Sequence, residues 1–409
     1  MDDAPRDAPG PEIKLDMAGA ERHEEDARLR AAGPVLQVEL PDGVVGWVVT
    51  RQELLAELLT DADHVLSKDL SHWTAERPEG WPLTGMVEVT NMVTADGPEH
   101  RRLRRSVTGF LTPRRVKDTG THIAALVQDL LDDLPKQVGA DGTVDLSAHF
   151  SSPLPLSVIC QLVGVPESYR LRIRELVDSI FNHTADAQEV LTTQDDIVPL
   201  MESIADFRRE RPGDDLTTHL LSERDRGVIT ASELSDTMWL MVSAGYETTR
   251  NLLTNGTRAL LTHPGQRALA DAGDAVTWAA VVEETLRWDS PVANFLARYP
   301  LKDIHIGGVT IPAGDAIIAP YSAVGRDVEF HGADANRFDI RRTTKHMSFG
   351  AGPHACLGAH LARLQATTAL PALFARYPHL ALAVEESELL PNPSAISNST
   401  LHLPVTLGT

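Results

Sequence analysis

Along most of this chain apolar residues return every three or four positions, the spacing that lines one face of a helix. It predicts helices over Ile123 to Leu134, Tyr169 to Phe181, Ser232 to Leu261 and Leu357 to Leu370. Denser β-branched stretches predict short strands at Val35 to Val38, Val44 to Val49, Ile304 to Ile311 and Leu401 to Leu407. Gly307-Gly308 in the middle of the Ile304 to Ile311 run predicts a two-residue hairpin turn. Between Arg287 and Phe349, Pro291, Pro312, Pro320, Gly314 and Gly325 break the pattern into loops and short strands. No internal repeat and no low-complexity linker divides the chain. The expectation is a mainly α, single-domain protein. A flexible tail over residues 1–20 precedes one domain over 21–409, with a large helical region and a small β-rich one.

With 409 residues and 42% hydrophobic content, the chain can bury an ordinary globular core. A formal charge of −21 argues against nucleic acid and anionic membrane surfaces as partners. The acidic start Met1-Asp2-Asp3-Ala4-Pro5 is unlike a signal peptide, and no window approaches the about 18 continuous apolar residues of a spanning helix. A soluble, cytoplasmic protein is expected. The two cysteines, Cys160 and Cys356, form neither a C-x-x-C pair nor a zinc-type cluster, which suits a reducing compartment. Positive charge gathers at His100-Arg101-Arg102-Leu103-Arg104-Arg105, Arg114-Arg115 and Arg341-Arg342. These are either scattered surface arginines or, sharing one face, a patch for an acidic electron donor.

Cys356 stands in the run Phe349-Gly350-Ala351-Gly352-Pro353-His354-Ala355-Cys356-Leu357-Gly358, just before a helical pattern. A lone thiolate in a glycine-rich loop at a helix start can offer one sulfur to an iron, stabilised by the helix's first N–H groups. Two rivals exist. A free cysteine is commonly a buried core thiol. The segment Gly350 to Ala355 also fits the dinucleotide fingerprint G-x-G-x-x-(G/A), which requires a buried strand before it and an acid about twenty positions later. Arg341 to His346 is too polar for that strand, and Tyr377-Pro378-His379 stands where the acid should be.

Three other constellations carry chemistry. In Ser243-Ala244-Gly245-Tyr246-Glu247-Thr248-Thr249-Arg250 an acid adjoins a hydroxyl within an apolar helix, and small residues leave room for a flat group. A threonine bonding back to a carbonyl predicts a local kink there; the plain alternative is one polar stripe. Glu284 and Arg287 lie three apart, an ordinary surface pair worth about 0.2–0.5 kcal/mol when isolated. His100 and Arg104 lie four apart on one face, suited to carboxylates or simply solvated.

The cysteine run agrees at every fixed position with F-G-x-G-x-(H/R)-x-C-x-G and resembles the ligand loop of the cytochrome P450 family. The resemblance spans roughly residues 35 to 407 and is nearest to soluble actinobacterial members that tailor natural products or hydroxylate steroids and macrolides. It implies haem b held by the Cys356 thiolate, with Phe349, Gly350 and Gly358 around the sulfur and Ala244 against the macrocycle. By the family motif (A/G)-G-x-(D/E)-T, Glu247 is an acid and Thr248 a hydroxyl that deliver protons during oxygen activation. By E-x-x-R, Glu284 and Arg287 form a buried ionic triad with Arg337 of Asn336-Arg337-Phe338. His100, Arg104, Arg298 and His346 resemble the positions that hold the haem propionates. Substrate-pocket positions by the same likeness are Trp81, Met86, Val93, Phe181, Met241, Val292, Asn294, Phe295 and Ile396. Ala323-Val324-Gly325-Arg326-Asp327 departs from the usual A-N-R-D.

The implied activity is that of a haem-thiolate monooxygenase, inserting one oxygen atom from O2 into a mid-sized apolar organic molecule. Electrons are expected from a ferredoxin and its NAD(P)H-dependent reductase, and the protein is expected to be a monomer. An alternative is oxidative coupling or ring formation through C–C, C–N or C–O bonds. A non-catalytic haem or gas-binding protein is a third reading, against which the Glu247-Thr248 pair speaks.

Overall fold

The amphipathic stretches fold as helices that bury their apolar stripes against one another, because a one-sided helix has no other way to leave water. The computed structural model describes residues 11–61 and 65–408. Its first half holds α1 (Arg22–Ala32), α2 (Gln52–Thr60), α3 (Thr84–Val87), α4 (Gly97–Thr108), α5 (Pro113–Asp118) and α6 (Gly120–Asp133). Next come α7 (Pro153–Val163), α8 (Glu167–Ile180), α9 (Ala187–Glu210), α10 (Leu216–Asp225) and α11 (Ala231–Thr262). The last are α12 (Pro264–Asp271), α13 (Ala275–Trp288), α14 (Tyr321–Gly325), α15 (Val328–His331) and α16 (Ala359–Arg376).

Helix α11 is the axis of the molecule and is buried nearly all round. It begins at Thr230 because a capping box satisfies two of its orphan donors: Glu233 N–H to Thr230 Oγ1 (3.1 Å) and Thr230 N–H to Glu233 Oε2 (2.7 Å). It stops at His263, where Pro264 follows. At Gly245 a Cβ would lie 2.6 Å from Ile159 Cδ1, so this glycine lets α7 approach closely.

The strands are β1 (Val35–Glu39), β2 (Val45–Val49), β3 (Leu66–Ser67), β4 (Val144–Asp145) and β5 (Phe295–Pro300). They continue as β6 (Ile304–Ile306), β7 (Val309–Ile311), β8 (Ala316–Ala319), β9 (Ala381–Leu382) and β10 (Pro404–Thr406). A five-stranded sheet runs β1-β2-β8-β5-β3, beside a small sheet β4-β10-β9 and the hairpin β6-β7. Strand β2 pairs antiparallel with β1 (Val35 opposite Val49) and parallel with β8 (Gly46 opposite Ala316). Side chains alternate across this sheet: Val48 and Ile318 face one apolar cluster, Trp47, Val49 and Ile317 another. The register of β5 on β8 shifts between Phe295 and Arg298, and β3 on β5 sets Ser67 opposite Tyr299. These pairings carry Lys68 and Arg298 to the same edge as α4.

The four predicted helices correspond to α6, α8, α11 and α16, and the Gly307-Gly308 hairpin forms. Helix α16 continues past Pro371, where the pattern was expected to end, because Leu370, Leu373 and Phe374 are buried on both sides of the proline. Within residues 11–20, expected as part of a flexible tail, Ile13 to Leu15 pair with the end of β1. Leu15 N–H donates to Glu39 O, Glu39 N–H donates to Ile13 O, both at 2.9 Å, and Leu15 is buried. Residues 1–10 of that expected tail lie outside the described residues. Among the described residues no single helix is long and apolar enough to cross a membrane.

Candidate active site

The cysteine loop is shaped by two left-handed glycines. Gly350 has φ +67° and Gly352 φ +68°, and a Cβ on Gly352 would stand 2.2 Å from Leu59 O. Cys356 N–H donates to Phe349 O (2.9 Å), closing the loop just ahead of α16. The thiol is accessible at its own surface, yet protein encloses it closely enough that burial dominates its chemistry. Burial pushes the Cys356 thiol up, opposed by the Gly358 and Ala359 N–H groups and by the charges of Arg104 and Arg363. Those opposing groups favour a thiolate, and a bound metal cation would complete the deprotonation. Phe349 is half-buried against Arg363, whose guanidinium lies 4.5 Å from the ring centre.

Next to the loop lies a cavity of about 1160 Å³ lined by Lys68, Asp96, His100, Arg104, Arg298 and His354. His100 is buried, its ring 4.3 Å from that of His354, and its Nε2 has no partner among the described residues. Burial, then the charges of His354 and Arg104, push His100 down to about 4. Arg104 donates to Ala355 O (2.7 Å). Arg298 is buried with no side-chain hydrogen bond or ion pair among the described residues. Asp96 lies 3.5 Å from His354 Nε2. Burial alone would raise Asp96, but His354, the Lys68 N–H and Ser67 outweigh it and hold the carboxyl at about 2.

Buried cations without counter-charges are costly. A planar cofactor bearing two carboxylates, with iron for the sulfur, fits this donor set.

His346, expected in this cluster, is elsewhere. Its Nε2 bonds Glu283 Oε2 (3.0 Å), a carboxylate also gripped by Arg363 (2.6 and 2.8 Å). His354 takes its place in the cavity lining, beside His100. Lys68 was also missed; its ammonium donates to Leu296 O (3.0 Å) and lies 5.1 Å from the Phe295 ring centre.

On α11, Ala244 is exposed in the middle of the most buried helix, and Thr248 is half-buried one turn on. Thr248 Oγ1 donates to Ala244 O (2.7 Å), the back-bond expected there, within a helix that runs from Ala231 to Thr262. Glu247 is turned into the interior and paired with Arg250 (2.9 Å), which also bonds Asp178 (3.0 Å).

Glu284 and Arg287 are fully buried and bidentate, at 2.7 Å for each bond. Arg287 also donates to the carbonyls of Gly325, Ala335 and Arg337. Arg337 supplies only that carbonyl, and its side chain is exposed. The third charge is Arg342, whose Nε lies 3.6 Å from Glu284 Oε1.

The pocket candidates divide. Trp81 is plain core: fully buried, edge-on to Trp73, with Nε1 donating to Pro41 O (3.2 Å). Met241 belongs to the main core, and Asn294 is buried, donating to Ala395 O (2.7 Å). Met86, Val93, Phe181, Val292 and Phe295 are half-buried; Ile396 is buried and shares a cluster with Met86, Phe181 and Val292.

The basic surface is smaller than the sequence suggested. Arg102 is committed to Glu233 (3.1 Å) and Val228 O (2.6 Å), Arg341 to Asp339, and the half-buried Arg342 to Glu284 and Asp334. Arg101 and Arg105 stay exposed on α4.

Known proteins resemble this chain over nearly its whole length. The family description "Cytochrome P450" matches residues 276–403. The chain is 38% identical over 405 residues to 2-hydroxy-5-methyl-1-naphthoate 7-hydroxylase of Streptomyces carzinostaticus, covering 96% of this chain and 97% of that one. It is 33% identical to 6-deoxyerythronolide B hydroxylase of Saccharopolyspora erythraea, covering 97% and 98%. Among solved structures, CYP154C4 from Streptomyces sp. W2061 superposes with a TM-score of 0.92 at 41% identity, covering 97% and 98%.

Proposed function

The chain belongs to the cytochrome P450 family of monooxygenases, and we propose that it hydroxylates a mid-sized, largely apolar natural product with a haem held by Cys356. The observation that carries this reading is the meeting, beside one cavity, of the Cys356 thiol with the buried guanidinium of Arg298 and with His100, whose buried Nε2 has no partner among the described residues. When bound, the haem supplies the oxygen chemistry, which protein side chains cannot perform.

The remaining work belongs to this chain. Cys356 Sγ ligates, with the Gly358 and Ala359 N–H groups directed at it. His100, Arg104, Arg298 and His354 would hold the two carboxylates and so orient the cofactor. Thr248 Oγ1 would hold a water beside Ala244, and Glu247 would exchange protons with it. Met86, Val93, Phe181, Val292 and Phe295 exclude bulk water and orient the substrate. Electrons come from a ferredoxin that docks on the α4 surface around Arg101 and Arg105.

Cys356→Ser tests the ligand. The purified variant is expected to lose the red-shifted Soret band of the reduced carbon monoxide complex, and retention of that band would reject Cys356. Adding 2-hydroxy-5-methyl-1-naphthoate or 6-deoxyerythronolide B to the wild type and following the Soret shift tests the substrate class.

A further inference from the structure

The carboxylate of Glu247 is held very unevenly. Ser397 Oγ–H donates to Oε1 at 2.5 Å, and Arg250 Nη2 donates to the same oxygen at 2.9 Å. Asn251 Nδ2 at 3.1 Å and Asn392 Nδ2 at 3.4 Å also approach Oε1. Oε2 is buried and has no partner among the described residues. A carboxylate has about four lone-pair sites, two on each oxygen. Oε1 is therefore saturated, and only Oε2 has lone pairs left for a proton.

Ser397 is the shortest of these contacts, and its hydroxyl has a fixed direction. It accepts from Asn251 Nδ2 at 2.6 Å, so its own proton is left to point at Glu247. It sits in the segment 392–398, which is anchored on three sides. Arg22 donates to Ser394 O (2.7 Å), Ala395 N–H donates to His183 Nδ1 (3.1 Å), and Asn398 Nδ2 donates to Asp289 Oδ1 (2.9 Å). Ile396, the residue before it, packs beside Phe181 and Val292.

We propose that Ser397 is a positioning residue that pins Oε1 of Glu247 and leaves Oε2 as the oxygen through which protons pass. This rests on the reading of Glu247 as the relay acid. The C-terminal loop is thereby part of the proton path as well as a wall of the pocket.

Infrared difference spectra of the full-length, haem-loaded protein give a readout independent of turnover. The carboxylate stretch assigned to Glu247 is the band missing from Glu247→Gln. Ser397→Ala is expected to shift that band and Ser397→Thr, which keeps the hydroxyl, to restore it; an unmoved band in Ser397→Ala overturns the proposal. In turnover with NADPH, a surrogate ferredoxin and 2-hydroxy-5-methyl-1-naphthoate as probe, peroxide released per NADPH is measured. Ser397→Ala should raise the ratio of peroxide to productive oxidation about tenfold, the scale of one hydrogen bond to a charged group. It should add nothing in a Glu247→Gln background. If Glu247→Gln itself leaves peroxide yield unchanged, the relay reading falls. If Glu247→Gln raises it and Ser397→Ala does not, the Ser397 proposal alone falls.

Discussion

Replacing Arg342 with Ala should destabilise the protein severely, whereas Arg337→Ala should be nearly silent. Arg342 is half-buried, its Nε 3.6 Å from Oε1 of the buried Glu284. At an effective dielectric of about 20 that charge pair is worth roughly 4–5 kcal/mol before desolvation is subtracted. Arg342 also donates to His331 O (2.8 Å) and Asp334 O (3.1 Å); its loss leaves the part-buried His331 carbonyl without that donor, while Asp334 O keeps the Arg337 N–H. Breaking a buried pair typically costs about 3–5 kcal/mol. Because Glu284 keeps its bidentate bonds to Arg287 and the Asp339 N–H, the lower end applies, about 3 kcal/mol. Arg337 has only its carbonyl in the network, which alanine retains, so about 0.5 kcal/mol or less is expected. Urea unfolding of the three purified proteins, followed by tryptophan fluorescence at one pH and salt, measures both changes. Similar midpoints for the two variants, or a larger loss for Arg337→Ala, would refute the assignment of the third charge.

Acid should weaken the fold. His23 and His183 are pushed down to about 3 and His331 to about 4, each chiefly by burial. The folded state keeps them neutral while the unfolded chain protonates below about pH 6.5, so stability is intact above that pH and lost as pH falls toward 4. Each contributes a slope of about 1.4 kcal/mol per pH unit, and urea midpoints at pH 7, 6 and 5 should show a shallower fall for His183→Asn. Reduction by ferredoxin should slow as salt rises, because screening acts over about 10 Å at 0.1 M. Arg101→Glu with Arg105→Glu should slow it further without altering ligand-induced Soret shifts. Stopped-flow rates indifferent to salt and to reversal would exclude electrostatic docking there.

What the sequence makes legible here is local. The Cys356 run, the Gly307-Gly308 hairpin and the helical stripe of α11 are each written within one window, and each appears where expected. Partner choice across distance was not legible. Arg337 and Arg342 both follow the E-x-x-R helix at plausible spacing, and only the packing of residues 334–342 against Glu284 decides between them. His346 and His354 are eight positions apart in one loop. Glu283, on α13, claims the first, and the turn through Gly350 and Gly352 delivers the second to His100. Trp81 shows the other limit, since an apolar side chain carries no local mark of whether it faces core or cavity. The parallel pairing of β2 with β8 was invisible because three-residue pairings leave no periodicity to read.

That pairing has a consequence for how the protein is made. The hairpin β1-β2 leaves the ribosome early, yet the strand that covers the other edge of β2 begins at Ala316. At about 5–20 residues per second, the apolar edge of β2 must wait roughly 10–60 s for its neighbour. During that interval Val48 and Val49 belong to a nascent chain with an open strand edge, the condition that invites pairing with a second chain. The order of strands in the mature sheet thus sets a kinetic hazard during synthesis. Because pairing needs a second chain, weaker induction, which lowers the concentration of nascent chains, should raise the soluble yield of this enzyme.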